Sequence, residues 1–97
     1  ADYMMACHEI AHYAYDSKKM KHAWNEVVQA VEGKDGFTFK GNVSRYAWYD
    51  KYSYSKKIDE AHSECFAMIA NPEYKHGMLP KAVEDYFYNN YFKAAEG

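Results

Sequence analysis

Near the start of the chain, His8-Glu9-Ile10-Ala11-His12 combines residue types and a spacing that can hold a metal and activate water beside it. On a helix, side chains four apart share a face with roughly 5–6 Å between Cβ atoms, so both imidazoles can reach one Zn²⁺. Glu9 stands about 100° further round, where it can take a proton from a water without entering the ligand set. Flanking residues Tyr3-Met4-Met5-Ala6-Cys7 and Tyr13-Ala14-Tyr15 suit a buried helix. His22, His62 and His76 have no comparable partner spacing, and His76, followed by Gly77, either reaches the site from a loop or, the preferred reading, is an exposed loop residue.

A catalytic zinc takes three protein ligands and keeps a fourth position open, so a second element must face the first. The segment Glu60-Ala61-His62-Ser63-Glu64-Cys65-Phe66-Ala67 is the candidate. Glu60 and Glu64 are four apart and share a face. One can bind the metal while the other orients a ligand histidine by hydrogen bonding. The competing explanation is a solvated acidic stripe, but small Ala61, Ser63 and Ala67 beside bulky Phe66 predict a closely packed helix.

These residues need a helical frame, and the sequence reads as mainly α. A motif helix is expected from Tyr3 to about Tyr15. Asp16 and Ser17 can cap a second helix from about Lys18 to Glu32, where Met20, Trp24, Val27, Val28 and Val31 recur at helical spacing and Gly33 is the stop. Gly33 to Asn42 is turn-rich, and the alternation Phe37-Thr38-Phe39 predicts a short strand or hairpin. Val43 to Ser55 reads as an ordered aromatic loop over the site. A third helix is expected from about Ser55 to Ala70, ended by Asn71-Pro72. After a loop to Leu79, Pro80 suits the first turn of a last helix whose buried face is Val83, Tyr86, Phe87 and Tyr91.

Composition bounds the alternatives. The 97 residues make one small domain, 48% hydrophobic and 19% aromatic, unlike a disordered chain. A formal charge of −2 gives no electrostatic case for nucleic acid. No apolar run approaches the roughly 20 residues of a membrane span, and no basic region followed by an apolar one marks a secretion signal. The chain begins with Ala and reaches the motif within a few residues, so a fragment lacking upstream strands of a larger parent protein is expected. Cys7 and Cys65 form either a single bridge or, the preferred reading, two buried thiols; neither has thiolate-zinc spacing. Lys18, Lys19 and Lys21 read as a solvated face. Tyr46, Tyr49, Tyr52 and Tyr54 either line a substrate groove or pack a loop against the helices.

The order H-E-x-x-H, a long gap, then E-x-x-small-E-small-F resembles the gluzincin metallopeptidases, and among them the anthrax lethal factor catalytic domain and related domains of phage minor head proteins and bacterial toxins. The resemblance implies a small zincin-like helical unit with the H-E-x-x-H helix facing the acidic one. It makes Glu60 the third ligand of one zinc per chain, beside His8 and His12, and Glu64 the acid behind the ligands. Ser63, Cys65 and Phe66 match packed positions, whereas His62 replaces the family's aromatic. An alternative register makes Glu64 the ligand, with Met68 where the second acid belongs.

The family also carries an S-x-Y-small segment whose tyrosine hydroxyl bonds the developing oxyanion. Val43-Ser44-Arg45-Tyr46-Ala47 matches it in type, at a longer interval from Glu60 than the family's, so an insertion is required. Ser53-Tyr54-Ser55 is nearer in spacing and poorer in pattern, so Tyr54 is the reserve. The implied activity is zinc-dependent hydrolysis of a peptide or protein substrate, with Glu9 as general base and a secreted, host-delivered or virion-associated setting. The alternative is a zinc-binding but non-hydrolytic structural or interaction module of a phage particle or toxin.

Overall fold

The computed structural model describes residues 18–92, which form helices α1 (Lys18–Val31), α2 (Phe39–Asn42), α3 (Tyr54–Ala70) and α4 (Lys81–Phe87). A 3₁₀ turn, Arg45–Trp48, follows α2, and a π-helical turn, Tyr88–Phe92, continues α4. The architecture is mainly α, as the periodicity predicts. Among the described residues the only β pairing is an isolated antiparallel bridge between Lys34 and Phe37. No described helix is long and apolar enough to cross a membrane. The motif helix expected around His8, Glu9 and His12 lies outside the described residues, as does Cys7.

Helix α1 is amphipathic, and its spacing buries Trp24, Val28 and Val31 while Met20 and Val27 pack at the margin. Trp24 is the hub of the core. Its ring sits 5.0 Å from Tyr86, 5.3 Å from His62, 5.4 Å from Phe87 and 5.8 Å from Phe39, joining four segments of the chain. Its indole Nε1 donates to the Ile58 carbonyl at 2.9 Å, so the one polar atom of the ring is satisfied in the interior and ties α1 to α3.

Gly33 stops α1 in the left-handed region, at φ +73°. A tight turn follows, with Asp35 at φ +52° and Gly36 at φ +78°, closed by Phe37 N–H donating to Lys34 C=O at 2.9 Å. Positive φ at both central residues is the requirement of the hairpin turn that matches strand twist. The strand predicted over Phe37–Phe39 nevertheless does not form. Thr38 instead caps α2, its hydroxyl accepting from Gly41 N–H at 3.0 Å, while the Glu32 carboxylate accepts from Phe39 N–H at 2.8 Å. These side chains satisfy the exposed donors of a helix start and so outcompete a strand that has no partner. Phe37 and Phe39 still turn inward, with rings 5.1 Å apart.

Helix α3 is the centre of the molecule. Ser53 caps it by accepting from Lys56 N–H, and Asn71 ends it just before Pro72, with its side chain accepting from Glu73 N–H. From Ala61 to Ile69 it is buried round most of its circumference: Ala61, Cys65 and Ile69 join the Trp24 core, and Ser63 and Ala67 are buried on the opposite side. The small residues are therefore packed rather than solvated. In the last helix Val83, Tyr86 and Phe87 are buried, whereas Tyr91, at the π turn, is only half-buried.

Candidate functional site

Both carboxylates proposed from the acidic segment are carried on α3, one turn apart, and both are half-buried. Their face adjoins the one that buries Ser63 and Ala67, which rules out a fully solvated stripe. Glu64 has a defined partner: the Ser44 hydroxyl donates to its Oε1 at 2.6 Å, across 20 residues of sequence. Ser44 begins the 3₁₀ turn, and the same hydroxyl accepts from Ala47 N–H at 3.2 Å. Through this residue the turn bearing Tyr46 is fastened to the acidic helix.

Tyr46 is 53% exposed, and its hydroxyl accepts from Arg45 Nη2 at 3.1 Å. The guanidinium carbon also stands 5.1 Å from the ring centroid. The bond to the Tyr46 oxygen, and then that oxygen's charge, hold the Arg45 guanidinium above its ordinary pKa. Because the tyrosine oxygen accepts from Arg45, its own proton remains available to donate elsewhere. Tyr54 is in a different place. It begins α3, six residues before Glu60, which puts it about 120° round the helix from that carboxylate. Its ring stands edge-on to Trp48 at 5.9 Å, and it lines a shallow groove of about 290 Å³ with Lys21, Asn25, Ser55, Ile58 and Asp59. The Ser44 bond thus joins the Tyr46 segment to Glu64, whereas Tyr54 is carried on the acidic helix itself.

His62 was set apart in the sequence only as a departure from an aromatic position. It is wholly buried in a cage of Trp24, Tyr86, Phe87 and Tyr91, whose ring centroids lie 5.1–5.5 Å from its own. Its Nε2 is 2.8 Å from Tyr86 Oη and 3.3 Å from Tyr91 Oη. The imidazole therefore fills the place of an aromatic side chain, with a hydrogen bond to match, and faces the core rather than the carboxylates.

Cys65 is a buried free thiol, pushed well above its ordinary pKa by burial and then by the charge of Glu64. His76 is exposed as expected, stacked 5.1 Å from Tyr88 with Nδ1 4.0 Å from Glu84. Tyr46, Tyr49 and Tyr54 are all exposed, and Tyr49 packs edge-on against Tyr52 at 5.1 Å.

His8, Glu9 and His12 lie outside the described residues. Among the described residues no three His, Cys, Asp or Glu side chains converge to hold a metal. The described residues contribute two half-buried carboxylates one turn apart on α3, oxygen donors of the kind that zinc accepts. Ser44 is the serine of the Ser-x-Tyr segment, but sequence reasoning gave it no role of its own. It stands three residues before Ala47, the spacing of a cap, and neither that spacing nor the Ser-x-Tyr pattern says anything of Glu64. No family model, no curated protein and no solved structure matches the chain.

Proposed function

We propose that the chain is a zinc-dependent peptidase of the gluzincin kind, in which His8, His12 and Glu60 hold the metal and Glu64 orients a ligand histidine. The reading is carried by one contact, the bond from Ser44 to Glu64, which brings a Ser-x-Tyr turn and an acidic helix side by side as that chemistry needs. Burial of Ser63 and Ala67 adds support, since small residues allow a second helix to approach within ligand distance of Glu60.

When bound, zinc supplies the Lewis acidity that makes water a nucleophile near neutral pH and polarises a carbonyl. The rest of the work falls to side chains. Glu9 takes the proton of the attacking water and passes it to the leaving amine, a contribution of about 10²–10⁴-fold. Glu64 fixes the orientation of a histidine by accepting its ring N–H. Tyr46, whose oxygen already accepts from Arg45, donates its hydroxyl proton to the substrate oxygen that gains charge.

The test is elemental analysis of the purified chain beside Glu9→Gln, with hydrolysis of a mixed peptide library followed for both. The expectation is about one zinc per chain in each and hydrolysis by the wild type alone. Zinc in both with hydrolysis in neither would indicate a non-hydrolytic metal-binding module, and absence of zinc would end both readings.

A further inference from the structure

We infer that Ser44 is a positioning residue of the proposed metal site, holding Glu64 by one end of its hydroxyl and the turn that bears Tyr46 by the other. The inference rests on the zinc reading above and adds to it a residue that touches neither metal nor substrate.

A serine hydroxyl has one proton and two lone pairs, so it can donate once and accept at the same time. Ser44 uses both. It stands extended at φ −168°, ψ 161°, the conformation of a cap, and accepts from Ala47 N–H at 3.2 Å. Its proton goes to Glu64 Oε1, and the 2.6 Å separation is that of a hydroxyl on a charged carboxylate. The serine is itself held from behind, since its N–H donates to the carbonyl of Phe39, a fully buried residue of the core. Ala47, whose N–H donates to the serine oxygen, is also fully buried. The hydroxyl therefore hangs from a rigid part of the fold.

Two consequences follow for the site. With Oε1 held by the serine, the Glu64 carboxylate has less freedom to turn, which narrows the directions in which it can accept. That is what an acid orienting a ligand imidazole needs. The same serine also sets the distance between Tyr46 and α3, because the turn cannot slide along the helix without breaking the bond to Glu64. Ser44 further favours Glu60 as the ligand, because a carboxylate committed to a neighbouring hydroxyl is better placed to orient than to coordinate.

The test is the zinc dissociation constant of the full chain, by competition with a chromophoric chelator, for the wild type, Ser44→Ala, Ser44→Thr, Glu64→Ala and the Ser44→Ala/Glu64→Ala pair. Ser44→Ala should weaken zinc about 10–100-fold, the usual cost of removing a partner behind the ligands, and Ser44→Thr should restore it. In the Glu64→Ala background the loss of Ser44 should add less than about threefold, because the two act as one unit. Ser44→Asp guards against a merely unfolded turn, since it keeps a capping acceptor but gives Glu64 no proton. It should fold and bind zinc at least as poorly as Ser44→Ala. Wild-type affinity in Ser44→Ala or Ser44→Asp overturns the inference, as does an undiminished loss on top of Glu64→Ala, which would confine the hydroxyl to the turn. A wild-type chain that takes up no zinc overturns the metal reading itself, and that failure is visible before any substitution is made.

Discussion

His62 Nε2 lies 2.8 Å from the Tyr86 hydroxyl, 24 residues away, inside a wall of aromatic rings. A histidine in a chain with an H-E-x-x-H motif invites a place in the ligand set, but this one is committed to the core. Replacing it with Ala should cost about 3–4 kcal/mol, the range for emptying a large buried site. Tyr86→Phe should cost about 1 kcal/mol, the worth of the hydrogen bond alone. Chemical denaturation measures both, and zinc per chain should stay at the wild-type value in each. A drop in zinc with His62→Ala and unchanged stability would reassign it as a ligand.

Glu60 and Glu64 should separate in a metal assay. Glu60→Ala removes a ligand and should leave well under one zinc per chain after dialysis. Glu64→Ala should keep zinc at saturation while binding it about 10–100-fold more weakly. The opposite order would transfer the ligand role to Glu64 and leave Ser44 bonded to a coordinating group.

The loop before α4 hangs on one carboxylate. Glu84 accepts from the Tyr74 hydroxyl and from Gly77 N–H at 2.8 Å, and Tyr74 Oη accepts from Leu79 N–H at 3.1 Å. Desolvation first, then the bond and charge of Glu84, raise the Tyr74 pKa above the tyrosine range. The folded state thus favours the protonated phenol. Its contribution is intact below about pH 10, the unfolded value, and is lost as pH rises beyond that. Melting temperature should fall above about pH 10 in the wild type. Tyr74→Phe should be about 1.5–3 kcal/mol less stable at neutral pH, the worth of a hydrogen bond to a charged group, with a flatter alkaline limb. An identical alkaline limb in both would remove Tyr74 from the account.

Gly36 sits at φ +78° with open space where a Cβ would be, so backbone strain and not a clash opposes a side chain there. Gly36→Ala should cost about 1–2 kcal/mol. Gly41→Ala should act by another route, since its Cβ would meet the Thr38 hydroxyl at 2.8 Å and push out the cap of α2. Denaturant midpoints test both, and a neutral Gly36→Ala would mean that the turn has relaxed.

Helix α1 was legible because Trp24, Val28 and Val31 recur with the period of a helix and Gly33 supplies the left-handed stop that follows. The end of α3 at Asn71-Pro72 was equally plain, since proline restricts the residue before it. Phe37-Thr38-Phe39 misled because alternation over three residues cannot tell a strand from a turn that leads into a capped helix. The carboxylate that decides the matter, Glu32, comes from the preceding segment. Chemistry of the H-E-x-x-H kind is written in residue types and in spacing along one helix, so the candidate metal donors could be named from the sequence alone. Which turn is fastened to the acidic helix could not, because that depends on how the chain returns in space. That attachment fell to tertiary structure, through a serine hydroxyl whose partner lies 20 residues on. Periodic burial is a local property that sequence records, whereas a hydrogen bond between distant segments exists only once the core has brought them together.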